Sequence, residues 1–156
     1  MMNRSISKTT QIVQTILREF LLFIIGGLIY ASIEVFARGF THWSMFIVGG
    51  LCFVIIGLLN EWYNEDMLFE LQTLIGAFVI TALEFISGYI VNIKLGWNVW
   101  DYSEHRFNLF GQICLHHSIC YWIPLSAFAI TLDDILREVW FNEPFPKYKF
   151  LFSKKK

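Results

Sequence analysis

Four long apolar runs constrain this chain more than any other feature. They cover residues about 17–37, 43–59, 68–91 and 109–132, and each comes close to the ~20 residues a helix needs to cross ~30 Å of hydrocarbon. A soluble core could hide one such helix. It could not hide four here, because only 16% of the residues are charged, against about 25% in an ordinary soluble domain. The expected fold class is therefore all-α integral membrane, with four transmembrane helices. Residues 1–16 form an N-terminal segment, 17–132 the four-span membrane domain and 133–156 a C-terminal tail. Met1–Gln14 lacks the apolar core and cleavage pattern of a secretory signal.

Between the third and fourth runs lies GWNVWDYSEHRFNLFGQICL, Gly96 to Leu115, the one long polar and aromatic stretch. Tryptophan and tyrosine collect where hydrocarbon meets water, since their rings are apolar while their N–H and O–H groups need partners. The stretch reads as a structured outer loop, with Asp101 accepting hydrogen bonds from nearby amides as aspartates do in turns. Basic residues set the orientation. Arg4, Lys8, Arg18, Arg137, Lys147, Lys149, Lys154, Lys155 and Lys156 share the side of the termini, and only Arg38, Lys94 and Arg106 lie opposite. That bias places both termini in the cytoplasm of a multi-pass cell-membrane protein. Asp133 and Asp134, next to Arg137, read as a solvated helix end. No basic block suggests nucleic acid. Cys52, Cys114 and Cys120 sit in apolar runs as small buried hydrophobes, without CxxC or zinc-finger spacing.

The candidate chemistry is in two intramembrane carboxylates. GGLIYASIEVFARGF in the first run resembles GAFVITALEFISGYI in the third, with Gly26 to Glu34 and Gly76 to Glu84 both eight residues apart. If this marks a duplicated helical hairpin, the two glutamates occupy equivalent positions about an axis along the membrane normal. A carboxylate inside a span is costly unless paired or hydrated, and it usually faces the bundle interior. His116 and His117, about two turns into the fourth run, fall at comparable depth, with Arg38 a turn beyond Glu34 and Arg106 entering from the loop. These six can form a polar binding cluster under the aromatic loop. Alternatively Glu34 pairs with Arg38 along one helix and Glu84 caps loop amides, in a structural role. No metal site is expected, because neighbouring His116 and His117 point to different helix faces. Asp101 and Ser103 lack a histidine fixed between them, so no catalytic residues, enzyme activity or cofactor are expected. Gly26, Gly27, Gly49, Gly50 and Gly57 suit close helix contact.

ARGF after Glu34, LEFISG in the third run and above all WDYS…FNLFGQICL resemble the bacterial membrane proteins called ABC-transporter type IV, or permease-like, proteins. The resemblance covers about Gly26 to Arg137, and Glu34, Arg38, Gly39, Glu84, Gly88, Trp100, Asp101, Tyr102, Ser103, Phe107, Asn108 and Gly111 match its recurring positions. HWSMFIVGGLCF stands here in place of the family's pattern after RGF. The resemblance implies a bacterial inner-membrane transporter component for a small solute or ion. No GxxxxGK[ST] motif is present, so ATP hydrolysis by that route is excluded. The alternative is a non-transporting interaction or regulatory protein that binds a partner through its outer loop or cytoplasmic tail. Either way the expected partners are the lipid bilayer and a second copy or another membrane protein, because four spans enclose little volume.

Overall fold

A computed structural model describes residues 7–63 and 67–152. Arg4 and Lys154–Lys156 lie outside the described residues, as does part of the acidic connection after residue 63. The helices are α1 (Lys8–Arg38), α2 (Trp43–Tyr63), α3 (Phe69–Gly88), α4 (Leu115–Cys120) and α5 (Trp122–Phe141), and α3 continues as a π-helical segment, Tyr89–Lys94. Strands β1 (Asn108–Leu109) and β2 (Ile113–Cys114) form a small antiparallel hairpin. Three helical stretches, Lys8–Arg38, Phe69–Lys94 and Leu115–Phe141, are long and apolar enough to cross a membrane. The apolar part of α2, Trp43–Leu59, is shorter, reaching roughly 25 Å at ~1.5 Å per residue. Large apolar side chains face outward, with Phe36 95% and Phe78 73% exposed. That is the pattern of a surface meant for lipid rather than water.

The heaviest packing is α1 on α2 and α3 on α5, so the chain folds as two helical hairpins laid together. Glycine pairs bring α1 and α2 into contact. A Cβ on Gly27 would stand 2.6 Å from the Phe46 carbonyl oxygen, and one on Gly50 would stand 2.6 Å from the Phe23 carbonyl oxygen. Gly26 likewise abuts Phe53, and Gly49 abuts Tyr30. Without a hydrophobic drive between helices in lipid, such close backbone approach and the van der Waals contact it permits hold the pair together. Gly39 ends α1 in the left-handed conformation at φ 81°, its N–H on the Val35 carbonyl at 2.8 Å, and so allows the tight turn into α2.

At the end of the bundle near the termini the sequence expectation needs correcting. Asp133, Asp134 and Arg137 are not a solvated helix end: they are 0%, 4% and 2% exposed, and α5 runs on to Phe141. Arg137 donates to Asp133 at 2.6 Å and forks onto both oxygens of Glu19 at 3.1 and 3.0 Å. Arg18 bridges Glu19 and Glu143. The C-terminal tail, expected from residue 133, instead begins at Asn142 and folds back onto the start of α3. Phe69 N–H bonds the Lys149 carbonyl at 2.8 Å, Tyr148 packs on Phe69 at 4.7 Å between ring centres, and the Tyr148 hydroxyl donates to Asp134. Burial and the Asp134 charge push the Tyr148 phenol well above its usual pKa, so it stays a donor. The physical reason is local: three carboxylates this close must find cations and hydroxyls, and the tail supplies one.

The fourth apolar run is also reorganised. Residues 108–114 are the hairpin rather than helix, and the helix breaks once at Tyr121 between α4 and α5. His116 and His117 therefore lie in the first turn of α4 rather than two turns into a span.

Candidate functional site

The two intramembrane glutamates are both buried and face the bundle interior, Glu34 at 9% and Glu84 at 3% exposure. Glu34 accepts from Arg38 Nη2 at 2.7 Å, one helical turn away, and from the Thr41 hydroxyl in the turn after α1. Arg38 also donates to the Val99 carbonyl at 3.3 Å and lies over the Phe40 ring at 4.7 Å. This is the pairing along one helix that the spacing allows, with a second tie to the loop between the π-helical segment and β1.

Glu84 has a different set of partners. It does not cap loop amides. Its Oε1 accepts from the Tyr102 hydroxyl at 3.0 Å and its Oε2 from Trp122 Nε1 at 2.9 Å, one donor from the loop and one from the start of α5. Burial first, and then the charge of Glu84, hold the Tyr102 phenol well above its usual pKa, so the tyrosine remains the donor. A carboxylate has about four lone-pair sites, so two donors leave acceptor capacity. Glu84 also lines a mostly apolar cavity of about 40 Å³ between α1, α2, α3 and α5, with Gly26, Tyr30, Gly49, Cys52 and Ala129, and is its one charged lining residue among those described.

The loop above is built, not slack. Asp101 accepts from the Ser103 N–H at 2.8 Å and from its hydroxyl at 3.0 Å. Tyr102 N–H bonds the Gly111 carbonyl at 2.7 Å. Asn108 donates to the Ser103 and His105 carbonyls at 3.1 and 2.8 Å and accepts from Gly111 N–H at 2.9 Å. Trp100, 8% exposed, donates from its indole to the Gln112 carbonyl at 2.9 Å. Beneath it Asn92, on the inward side of the π-helical segment, donates to the Trp100 carbonyl and Gln112 Oε1 at 3.0 and 2.8 Å and accepts from Val99 N–H at 2.7 Å. A Cβ on Gly88 would meet Gln112 Oε1 at 2.6 Å, so the glycine makes room for this network.

Of the residues singled out from sequence, Glu34, Arg38, Glu84, Trp100 and Tyr102 meet around the loop and bundle interior. Asp101, Ser103 and Asn108 shape the loop itself. Arg106 does not reach the carboxylates; it lies exposed beside His105 and His116 in a separate surface groove. His116 turns toward Cys120, Nδ1 to Sγ at 3.7 Å, whereas His117 stacks on Tyr102 at 4.6 Å between ring centres. The two imidazoles do not diverge as expected of helix neighbours: their rings meet edge-on at 5.7 Å between centres and both pack on Tyr121 at 5.7 and 5.0 Å, while their Nδ1 atoms turn to different cysteines. Sequence reading missed Asn92, Gln112, Thr41 and Trp122. A lone amide inside an apolar helix was the available signal for Asn92, by the same logic that marked the glutamates.

The family described as Putative ABC-transporter type IV matches residues 20–152. Comparison with curated proteins and with solved structures finds no match.

Proposed function

The chain belongs to the family described as Putative ABC-transporter type IV, and from that membership we propose that it is a small, non-catalytic permease-like membrane component that handles a small solute or ion. In this reading α2 is the fourth span and the termini are cytoplasmic. The chain assembles with a second copy or with a partner membrane protein. The observation that carries the reading is Glu84: a buried carboxylate, 3% exposed, that is the one charged residue lining a cavity between four helices among those described. A cavity of about 40 Å³ admits water or a small ion and nothing larger, so a larger solute would need the hairpins to part or a second chain to complete the path.

Two measurements test this. Vesicles containing only this chain should take up cations or small cationic solutes. Glu84→Gln should abolish that flux while folded protein still accumulates, with stability lowered by about 1–3 kcal/mol because the new amide N–H₂ meets one of the two donors. Flux equal to the parent's in Glu84→Gln would reject the role given to this residue. Orientation is tested by labelling intact cells with an impermeant thiol reagent, in a Cys120→Ser background. Ser103→Cys should react and Thr9→Cys should not; the opposite pattern would invert the topology.

A second reading, a non-transporting interaction protein, is favoured by one observation. The hairpin presents Phe107 at 80% and Phe110 at 73% exposure, each with a left-handed backbone that bulky residues seldom adopt. A stoichiometric partner lost on Phe110→Ser, without flux in either protein, would select it.

A further inference from the structure

Apart from the carboxylates, the loop end holds one more concentration of chemistry. His105, Cys114 and His117 present ligand atoms that all lie within 4.8 Å of one another. They come from two stretches: His105 from the loop, and Cys114 and His117, three residues apart, from the end of β2 and the first turn of α4 that follows it directly. The hairpin register pairs Asn108 with Cys114, and the Asn108 amide holds the His105 carbonyl at 2.8 Å, which brings the His105 backbone beside the thiol. His117 Nδ1 faces Cys114 Sγ at 2.8 Å. The His117 ring is fixed from behind by the stacked Tyr102 ring, whose hydroxyl is fixed in turn by Glu84 at 3.0 Å. Cys114 is 1% exposed while His105 is open to the outside, so the group has a shielded thiol and an entry path.

We propose that His105, Cys114 and His117 bind a divalent transition-metal ion of the zinc class. One thiolate and two imidazoles form a borderline-soft donor set, suited to zinc-type ions and poor for calcium or magnesium. Zinc–sulfur and zinc–nitrogen bonds of ~2.3 and ~2.0–2.1 Å put tetrahedral ligand atoms about 3.3–3.6 Å apart. The Cys114–His117 contact opens by less than about 1 Å to reach that spacing, and the exposed His105 ring swings in to close the third side. The fourth position stays with solvent. Binding releases the Cys114 thiol proton to water and takes both rings as neutral donors, so nothing is oxidised or reduced. Tyr102 acts as a positioning residue behind His117 through the ring stack, with Glu84 holding its hydroxyl. The site touches the transport reading only through Glu84 behind Tyr102, and none of its ligand atoms belongs to that reading.

Cobalt(II) is the probe, titrated into full-length, tag-free protein in detergent. The expected result is one cobalt per chain, with a thiolate-to-cobalt charge-transfer band that zinc displaces. Cys114→Ser should remove the band. His105→Ala, on the exposed loop, should weaken cobalt binding at least about tenfold, the scale that loss of even an outer partner produces. The nearest rival pair, His116 with Cys120, is tested by the double variant His116→Ala/Cys120→Ser, which should keep both band and affinity. If Cys114→Ser does not accumulate folded, His105→Ala decides alone. The absence of a charge-transfer band in the parent, unchanged affinity in His105→Ala, or loss of the band in the double variant would each overturn the proposal.

Discussion

Replacing Arg137 with methionine is expected to lower the stability of the folded protein by about 3–5 kcal/mol, the usual result of stripping a buried ion cluster of its cation. Arg137 is 2% exposed and holds Asp133 at 2.6 Å and both Glu19 oxygens at 3.1 and 3.0 Å, with Glu143 at 3.5 Å. Methionine fills much of the same space, so the loss is electrostatic: Asp133, fully enclosed, keeps no cation of its own. Asp133 also sits against Gly57, where α2 has no side chain and a Cβ would strike its carboxyl group, so it cannot turn away toward water. Thermal and denaturant unfolding of detergent-purified protein measures the effect. Arg137→Lys should recover part of the loss, because a point charge satisfies one carboxylate but cannot fork onto Glu19. A methionine variant within about 0.5 kcal/mol of the parent, the range of ordinary surface changes, would mean that the network adds nothing.

The second large effect is expected where α1 meets α2. Gly27→Ala and Gly50→Ala each place a methyl group 2.6 Å from a backbone carbonyl oxygen, Phe46 in one case and Phe23 in the other. A helix carbonyl cannot rotate aside as a side chain can, so the two helices must separate along their length. A cost of about 1–3 kcal/mol for each substitution is expected from overpacking. Gly39→Asn is the control. Its φ of 81° is one that asparagine tolerates and nothing lies within 4 Å of the added Cβ, so its effect should be small. Equal melting of Gly27→Ala and Gly39→Asn would show that the interface does not depend on the glycine.

Much of this architecture is legible one residue at a time. Glu34 and Arg38 stand four apart on a helix, so their pairing follows from helical geometry alone. Asp101 in WDYS forms the turn that aspartate ordinarily forms, and the glycine pairs lie where the helices cross. What escaped was whatever depends on which segment lies opposite. Ile113 and Cys114 read as part of an apolar helix, since a short apolar run looks the same in helix and strand. The hairpin is set by Asn108 and by Gly111 at φ 69°, whose roles appear only once their partners are in place. Asp133 and Arg137 read as a solvated end because a charged cluster near a terminus usually is one, and nothing local announces that Glu19 is 118 residues away in the chain and in contact.

The sequence by itself determined the class of fold and the cost it must meet: apolar runs of membrane length, with two carboxylates that must turn inward because lipid cannot solvate them. Only for Glu84 were the partners decided by tertiary structure alone. Glu34 is met by its own helix, but Glu84 is met by a loop tyrosine and an α5 tryptophan that are 18 and 38 residues away. Cys114 and His117 stand three residues apart, but His105 joins them only because the hairpin register and the Tyr102 stack bring the loop to the start of α4. Backbone periodicity is a local property and can be read along the chain. Hydrogen-bond partners of a buried polar group are chosen by whatever donors the packed helices present, and that choice exists only in three dimensions.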